Sequence, residues 1–114
     1  MNESESQKPK NKLTDQHKQA VYQVMQHIPE GKACSYGVLA SLAGLSGRAR
    51  WVGTLLSNLP KGTSLPWHRV VRASGELAFP VDTAKFREQK QRLMAEGVKF
   101  TGKRVLKSHL LTTD

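Results

Sequence analysis

The chain of 114 residues has a single cysteine, Cys34, and no run approaching the ~18 consecutive apolar residues of a bilayer-spanning helix. A lone thiol excludes an internal disulfide framework, and the four scattered histidines do not complete a zinc-binding set with it. No metal and no other cofactor is expected. The N-terminus also lacks the apolar core of a signal peptide, so the expected location is cytoplasmic, with no membrane partner. The third deficit is acidic. Between Glu30 and Glu76 there is no Asp or Glu, whereas Lys32, Arg48, Arg50, Lys61, Arg69 and Arg72 all fall in that interval. Over the whole chain 18 Lys and Arg stand against 9 Asp and Glu, a formal net charge of +9. Scattered lysines alone mean solubility, but an acid-free interval carrying arginines reads as one electropositive surface suited to DNA.

The length fits one small domain. Residues 1–12 hold no apolar residue after Met1 and are expected to be a disordered tail, with the folded domain over 13–105 and a C-terminal tail over 106–114. Thr14 is a candidate N-cap for an amphipathic helix over Asp15 to His27, with Val21, Val24, Met25 and Ile28 on one face. Ser35 is a second N-cap candidate, opening a short helix through Tyr36, Leu39, Ala40 and Ala43 that Gly44 stops. Gly47 to Leu59 repeats the pattern with Val52, Leu55, Leu56 and Leu59 inward and Arg48 and Arg50 at its start. Two short helices across a glycine turn, the second led by arginines, fit a helix-turn-helix, although an ordinary helical hairpin is the commoner source of such a pattern. Trp67 to Arg72 is expected as a short strand turning at Ser74-Gly75. A last helix is expected from Thr83 to Glu96, with Asp82 as possible N-cap and Gly97 as stop, followed by extended pieces at Val98, Phe100 and Val105. The fold class is α+β, mainly helical and winged-helix-like.

The stretch Pro66-Trp67-His68-Arg69-Val70-Val71 resembles the reactive motif Pro-Cys-His-Arg-Val of the O6-alkylguanine-DNA alkyltransferases, with tryptophan in place of the cysteine. Ser35-Tyr36-Gly37 with Leu39-Ala40 and Gly44 resembles the start of that family's helix-turn-helix, and Arg50 with Val52-Gly53 resembles its arginine finger. Glu96-Gly97-Val98 matches the acidic residue that closes the family's catalytic relay. These matches, in order over roughly Leu13 to Arg104, make the chain similar to the alkyltransferase-like proteins, which recognise the lesion without reversing it. An indole offers an N–H donor and an aromatic face but no nucleophile, so Trp67 can bind an alkyl group and cannot accept it.

The resemblance implies that the chain binds double-stranded DNA containing O6-alkylguanine through the minor groove, flips the nucleotide, and marks the lesion for nucleotide-excision repair proteins, as a monomer. By position, Trp67, Tyr36, His68 and Val70 would form the lesion pocket. Arg50, Tyr36, Arg48, Ala49 and Ser35 would meet DNA, with Arg50 filling the gap in the base stack and Tyr36 pressing on the phosphate. His68 and Glu96 would be a structural pair, because there is no thiol to deprotonate. Each has a blander alternative: Arg50 as a phosphate contact, Tyr36 as a core cap, and Trp67 as a core residue, the role assigned to Trp51. Leu59-Pro60 departs from the enzymes' Asn-Pro, and Glu76-Leu77-Ala78-Phe79-Pro80 replaces their glycine-rich closing segment. Two competing readings are a transferase acting through Cys34 and a winged-helix regulator of transcription.

Overall fold

A computed structural model describes residues 13–112, so the tail expected over 1–12 lies outside the described residues. The chain runs through helix α1 (Asp15–Gln26), strand β1 (Cys34–Ser35), α2 (Tyr36–Leu42) and α3 (Ala49–Ser57) to a 3-10 turn (Trp67–Arg69) and β2 (Val70–Val71). Helix α4 (Ala84–Ala95), the hairpin β3 (Phe100–Thr101) and β4 (Arg104–Val105), and a last 3-10 turn (Lys107–His109) complete it. Helices dominate, as the amphipathic spacing implies. No helix is long and apolar enough to cross a membrane among the described residues.

Two cores flank a ladder of two short strands. β1 and β2 pair in parallel, Cys34 opposite Val70 and Ser35 opposite Val71. Successive side chains of a strand point to opposite faces. Val70 therefore enters a core with Val21, Met25, Leu39 and Val52 of α1 to α3, while Val71 enters a second core with Phe86 and Leu93 of α4 and Val105 of β4. Four residues thus separate the helix-turn-helix half from the α4 half and join them.

Ser35 ends β1 and caps α2, its hydroxyl accepting from the Val38 N–H at 3.0 Å. Such a cap fixes the entry direction of the helix. Gly44 and Gly47, both at positive φ, turn the chain between α2 and α3.

Three expectations need correction. The strand expected over Trp67 to Arg72 is reduced to Val70–Val71, because Pro66 starts a tight turn in which the Arg69 N–H donates to the Pro66 carbonyl at 3.1 Å. The cap of α4 is Thr83, whose hydroxyl accepts from the Phe86 N–H at 3.2 Å, and not Asp82, which lies one residue outside. The stretch after residue 105 is tied down through residue 111: Ala33 bridges Leu110, the Leu111 N–H donates to the Ala33 carbonyl at 2.8 Å, and His109 Nδ1 bonds the Gly31 carbonyl at 2.9 Å.

Gly75 has φ +91°, and a Cβ built there would lie 2.9 Å from the Val105 carbonyl oxygen. Gly62 has φ +77° with nothing within 4 Å of such a Cβ. Gly75→Ala is expected to cost about 2–3 kcal/mol in urea denaturation and Gly62→Ala about 1 kcal/mol, since only the first adds a backbone clash to the left-handed strain. Equal costs would refute the close packing of the 72–76 turn on β4.

Candidate functional site

A cavity of about 750 Å³ lies between the helix-turn-helix and α4. Tyr36 of α2, Ala49, Arg50 and Gly53 of α3, Trp67 of the 3-10 turn, and Lys85 and Arg92 of α4 all line it. Trp67 is half-buried, with its ring edge-on to Phe79 at 6.1 Å between centroids. Lys85 Nζ sits 4.3 Å from the indole centroid and the Arg92 guanidinium 5.5 Å from it. Both cations share one carboxylate, Glu88, at 3.9 and 3.1 Å. The indole is thus a cavity wall held between aromatic and cationic neighbours.

Arg50 is exposed on the first turn of α3, free to reach beyond the cavity mouth. Tyr36 is half-buried and its ring passes 3.9 Å from where a Cβ on Gly53 would stand. Burial raises the Tyr36 phenol above its ordinary pKa, and the nearby Arg72 charge partly opposes that shift. The phenol is therefore a neutral donor at physiological pH. Ala49 beside Arg50 keeps the helix start narrow.

Two residues expected in the lesion pocket are placed elsewhere, and two expected to meet DNA lie outside the cavity lining. His68 and Val70 are buried behind the cavity and do not line it, because the 3-10 turn directs Trp67 outward and the next residues inward. Arg48 is half-buried at the N-cap of α3, outside the cavity lining. Ser35 is occupied as the cap of α2.

His68 does pair with Glu96, as expected: Nε2 and Oε2 are 2.8 Å apart. Arg69 joins them, donating from Nε and Nη2 to the two Glu96 oxygens at 2.9 and 2.8 Å and from Nη1 to the Ile28 carbonyl at 2.7 Å. Burial alone would raise the Glu96 pKa, but the hydrogen bonds from Arg69 and His68 outweigh it and bring the carboxyl down to about 2. One carboxylate thereby ties the end of α4 to the reactive-motif turn and, through Arg69, to the end of α1.

Several contributors were not evident from sequence. Gln89 is buried and donates from Nε2 to the carbonyls of His68 at 3.1 Å and Val70 at 3.0 Å, holding the turn that presents Trp67. Its signal was its place between Phe86 and Leu93 on the inward stripe of α4. Phe79, Lys85 and Arg92 complete the surroundings of Trp67. Lys85, Glu88 and Arg92 stand at i, i+3 and i+7, a spacing that gathers them on one helix face.

Cys34 is fully buried beneath α2 and absent from the cavity lining. Burial pushes its thiol up to about 11, and Sγ lies 3.4 Å from the Ser35 carbonyl oxygen. No group of three or more His, Cys, Asp or Glu is placed to hold a metal among the described residues.

A family model described as the DNA-binding domain of 6-O-methylguanine DNA methyltransferase matches residues 16–98. A DNA base-flipping protein of Escherichia coli K12 is 42% identical over 96 residues, covering 84% of this chain and 73% of its own. Alkyltransferase-like protein 1 of Schizosaccharomyces pombe is 38% identical over 78 residues, 68% of this chain and 72% of its own. The crystal structure of S. pombe Atl1 in complex with damaged DNA containing O6-carboxymethylguanine superimposes with a TM-score of 0.76 at 30% identity, covering 90% of this chain and 100% of that one.

Because the folded-state pKa of Glu96 lies below its ordinary 4.5, its contribution to stability is present above about pH 5 and is lost as pH falls toward about 2. Glu96→Gln is expected to lose about 2–3 kcal/mol at pH 7, less than the ~3–5 kcal/mol of a fully buried pair because the side chain keeps 14% exposure. The same variant should flatten the stability profile between pH 5 and 2 in denaturant titrations. An unchanged acid profile would show that the carboxylate is not held charged by Arg69 and His68.

Proposed function

As a member of the family of the 6-O-methylguanine DNA methyltransferase DNA-binding domain, this chain is, we propose, a nonenzymatic reader of O6-alkylguanine in duplex DNA. The observation that carries the reading is the meeting of Trp67, Tyr36 and Arg50 on one cavity that contains no thiol. Its relatives, a base-flipping protein and one whose crystal structure is a complex with damaged DNA, support the same reading.

The resemblance to the alkyltransferases implies a division of labour. α3 enters the minor groove with Ala49 allowing close approach and Arg48 near the phosphates. Arg50 fills the space that the flipped nucleotide leaves, its flat guanidinium stacking on the neighbouring bases and offsetting part of the few kcal/mol that flipping costs. Tyr36 presses on the backbone of the rotated nucleotide. The base enters the cavity beside Trp67, whose indole packs on the lesion.

Transfer of the alkyl group requires a thiolate in line with the alkyl carbon. Trp67 offers none, and burial pushes the Cys34 thiol up to about 11, which keeps it protonated at pH 7. In our reading the complex persists and presents the lesion to nucleotide-excision repair, with the protein acting as a cytoplasmic monomer. His68 and Glu96 then brace the turn and perform no chemistry.

Two measurements test the reading. Duplexes identical except for a single O6-methylguanine are titrated at fixed salt, because phosphate contacts otherwise dominate affinity. Arg50→Ala and Trp67→Ala should each reduce the preference for the damaged duplex about tenfold, as loss of ~1–3 kcal/mol of stacking implies. An unchanged damaged-to-normal ratio in Arg50→Ala would reduce that residue to a phosphate contact. Intact-mass analysis after incubation with the damaged duplex should show no added alkyl group, and stoichiometric alkylation of Cys34 would overturn the nonenzymatic assignment.

A further inference from the structure

The turn after β2 and the hairpin β3–β4 form one unit beside the cavity. Gly75 packs against the β4 backbone, with the Val105 N–H donating to the Gly75 carbonyl at 2.9 Å, and Glu76 bridges Arg104 in antiparallel register. The Arg72 N–H closes the turn on the Glu76 carbonyl at 2.9 Å. The unit is stiff because its parts are cross-linked by backbone bonds.

Its outward side chains are basic. Arg72, Lys103 and Arg104 are exposed, and the one acid among them, Glu76, is engaged by Arg104 at 3.8 Å and by the Ser74 hydroxyl at 3.3 Å. Arg72 and Lys103 meet across a second hollow of about 230 Å³ whose wall includes Phe79 and Pro80. Arg72, Ala78 and Phe79 also line the large cavity, so the two hollows share a wall. The Arg72 charge is felt at Tyr36 on the helix-turn-helix. A positive strip therefore runs from α3 past the mouth of the cavity to the tip of the hairpin.

We propose that this strip, centred on Lys103 and joined to the cavity by Arg72, is a second DNA-contacting surface that grips the phosphates flanking the flipped nucleotide. The inference rests on the DNA-reading function proposed above and adds a contact outside the helix-turn-helix. A rotated nucleotide carries its own backbone outward with it, so a rigid cationic edge beside the cavity meets phosphate at the point where the strand is displaced. Such contacts fix register and carry no base information. Lys103 should therefore govern affinity and its salt dependence, and not the choice between damaged and normal guanine.

The test is the full chain titrated with damaged and undamaged duplexes over a series of KCl concentrations. Lys103→Gln should lower the slope of log affinity against log salt by about 0.9 on both duplexes, the value of one lost phosphate contact, while leaving the damaged-to-normal ratio within twofold. Arg72→Gln added to it should lower the slope by a similar further amount. Lys18→Gln on α1, which lines neither hollow, should leave the slope unchanged. An unchanged slope in Lys103→Gln, or an equal fall in Lys18→Gln, overturns the proposal, as does a loss of lesion preference at constant slope, which would make Lys103 a base-reading residue. Absence of any lesion preference in the unaltered protein would instead defeat the function proposed above, and the slope comparison would still decide whether Lys103 meets phosphate.

Discussion

The pairing of Cys34–Ser35 with Val70–Val71 is the constraint from which the cavity follows. Ser35 is at once the last residue of β1 and the cap of α2, so the register that places Ser35 opposite Val71 also places Tyr36 relative to the turn bearing Trp67. A slip of one residue would exchange Val70 and Val71 between their two cores and turn the motif over. Since both faces of the ladder are buried in apolar contacts, the register is enforced from both sides. The two walls of the cavity are thus fixed by two pairs of residues far apart in sequence.

Two polar anchors keep the intervening turn in place. Gln89 reaches from the interior of α4 to the carbonyls on either side of Arg69, and each such bond contributes about 0.5–1.5 kcal/mol while sparing a buried carbonyl from being left unpaired. Arg69 holds Glu96 with two donors and spends a third on the last carbonyl region of α1. Nothing comparable is needed around Trp67 itself, because the indole is held by packing on Phe79 and by the cations of α4. The side chain at the reactive position is therefore supported without being hydrogen-bonded into a relay.

How legible this was depends on the range of the interactions involved. Helices α1 to α3 and the Ser35 cap are set by local periodicity and local hydrogen bonds, and the chain announces them. The partnership of His68 and Glu96 was legible through the resemblance, whereas the bidentate role of Arg69 emerged only when α4 was seen to end beside the 3-10 turn. Lys85 and Arg92 carry no sequence signal of their place beside the indole, because nothing local says which face of α4 meets Trp67. The fastening of residues 106–111 was illegible for the same reason: a tail was expected there, and the partners of this stretch, Gly31 and Ala33, lie more than seventy residues away. Val70 was placed in the pocket by its position in the motif, whereas β2 turns its side chain into the core of α1 to α3.

The charged network around Glu96 has a geometric task. Here both Glu96 oxygens accept from Arg69, and the His68 ring shares one of them, so the negative charge is already balanced and the carboxyl is a poor proton acceptor. With its charge satisfied, the network serves as a brace. It must hold the end of α4, the 3-10 turn and the end of α1 in a fixed relation so that an indole stays on the cavity wall. A site that binds without reacting depends on such rigidity, because discrimination then rests wholly on differences in contact between damaged and normal bases.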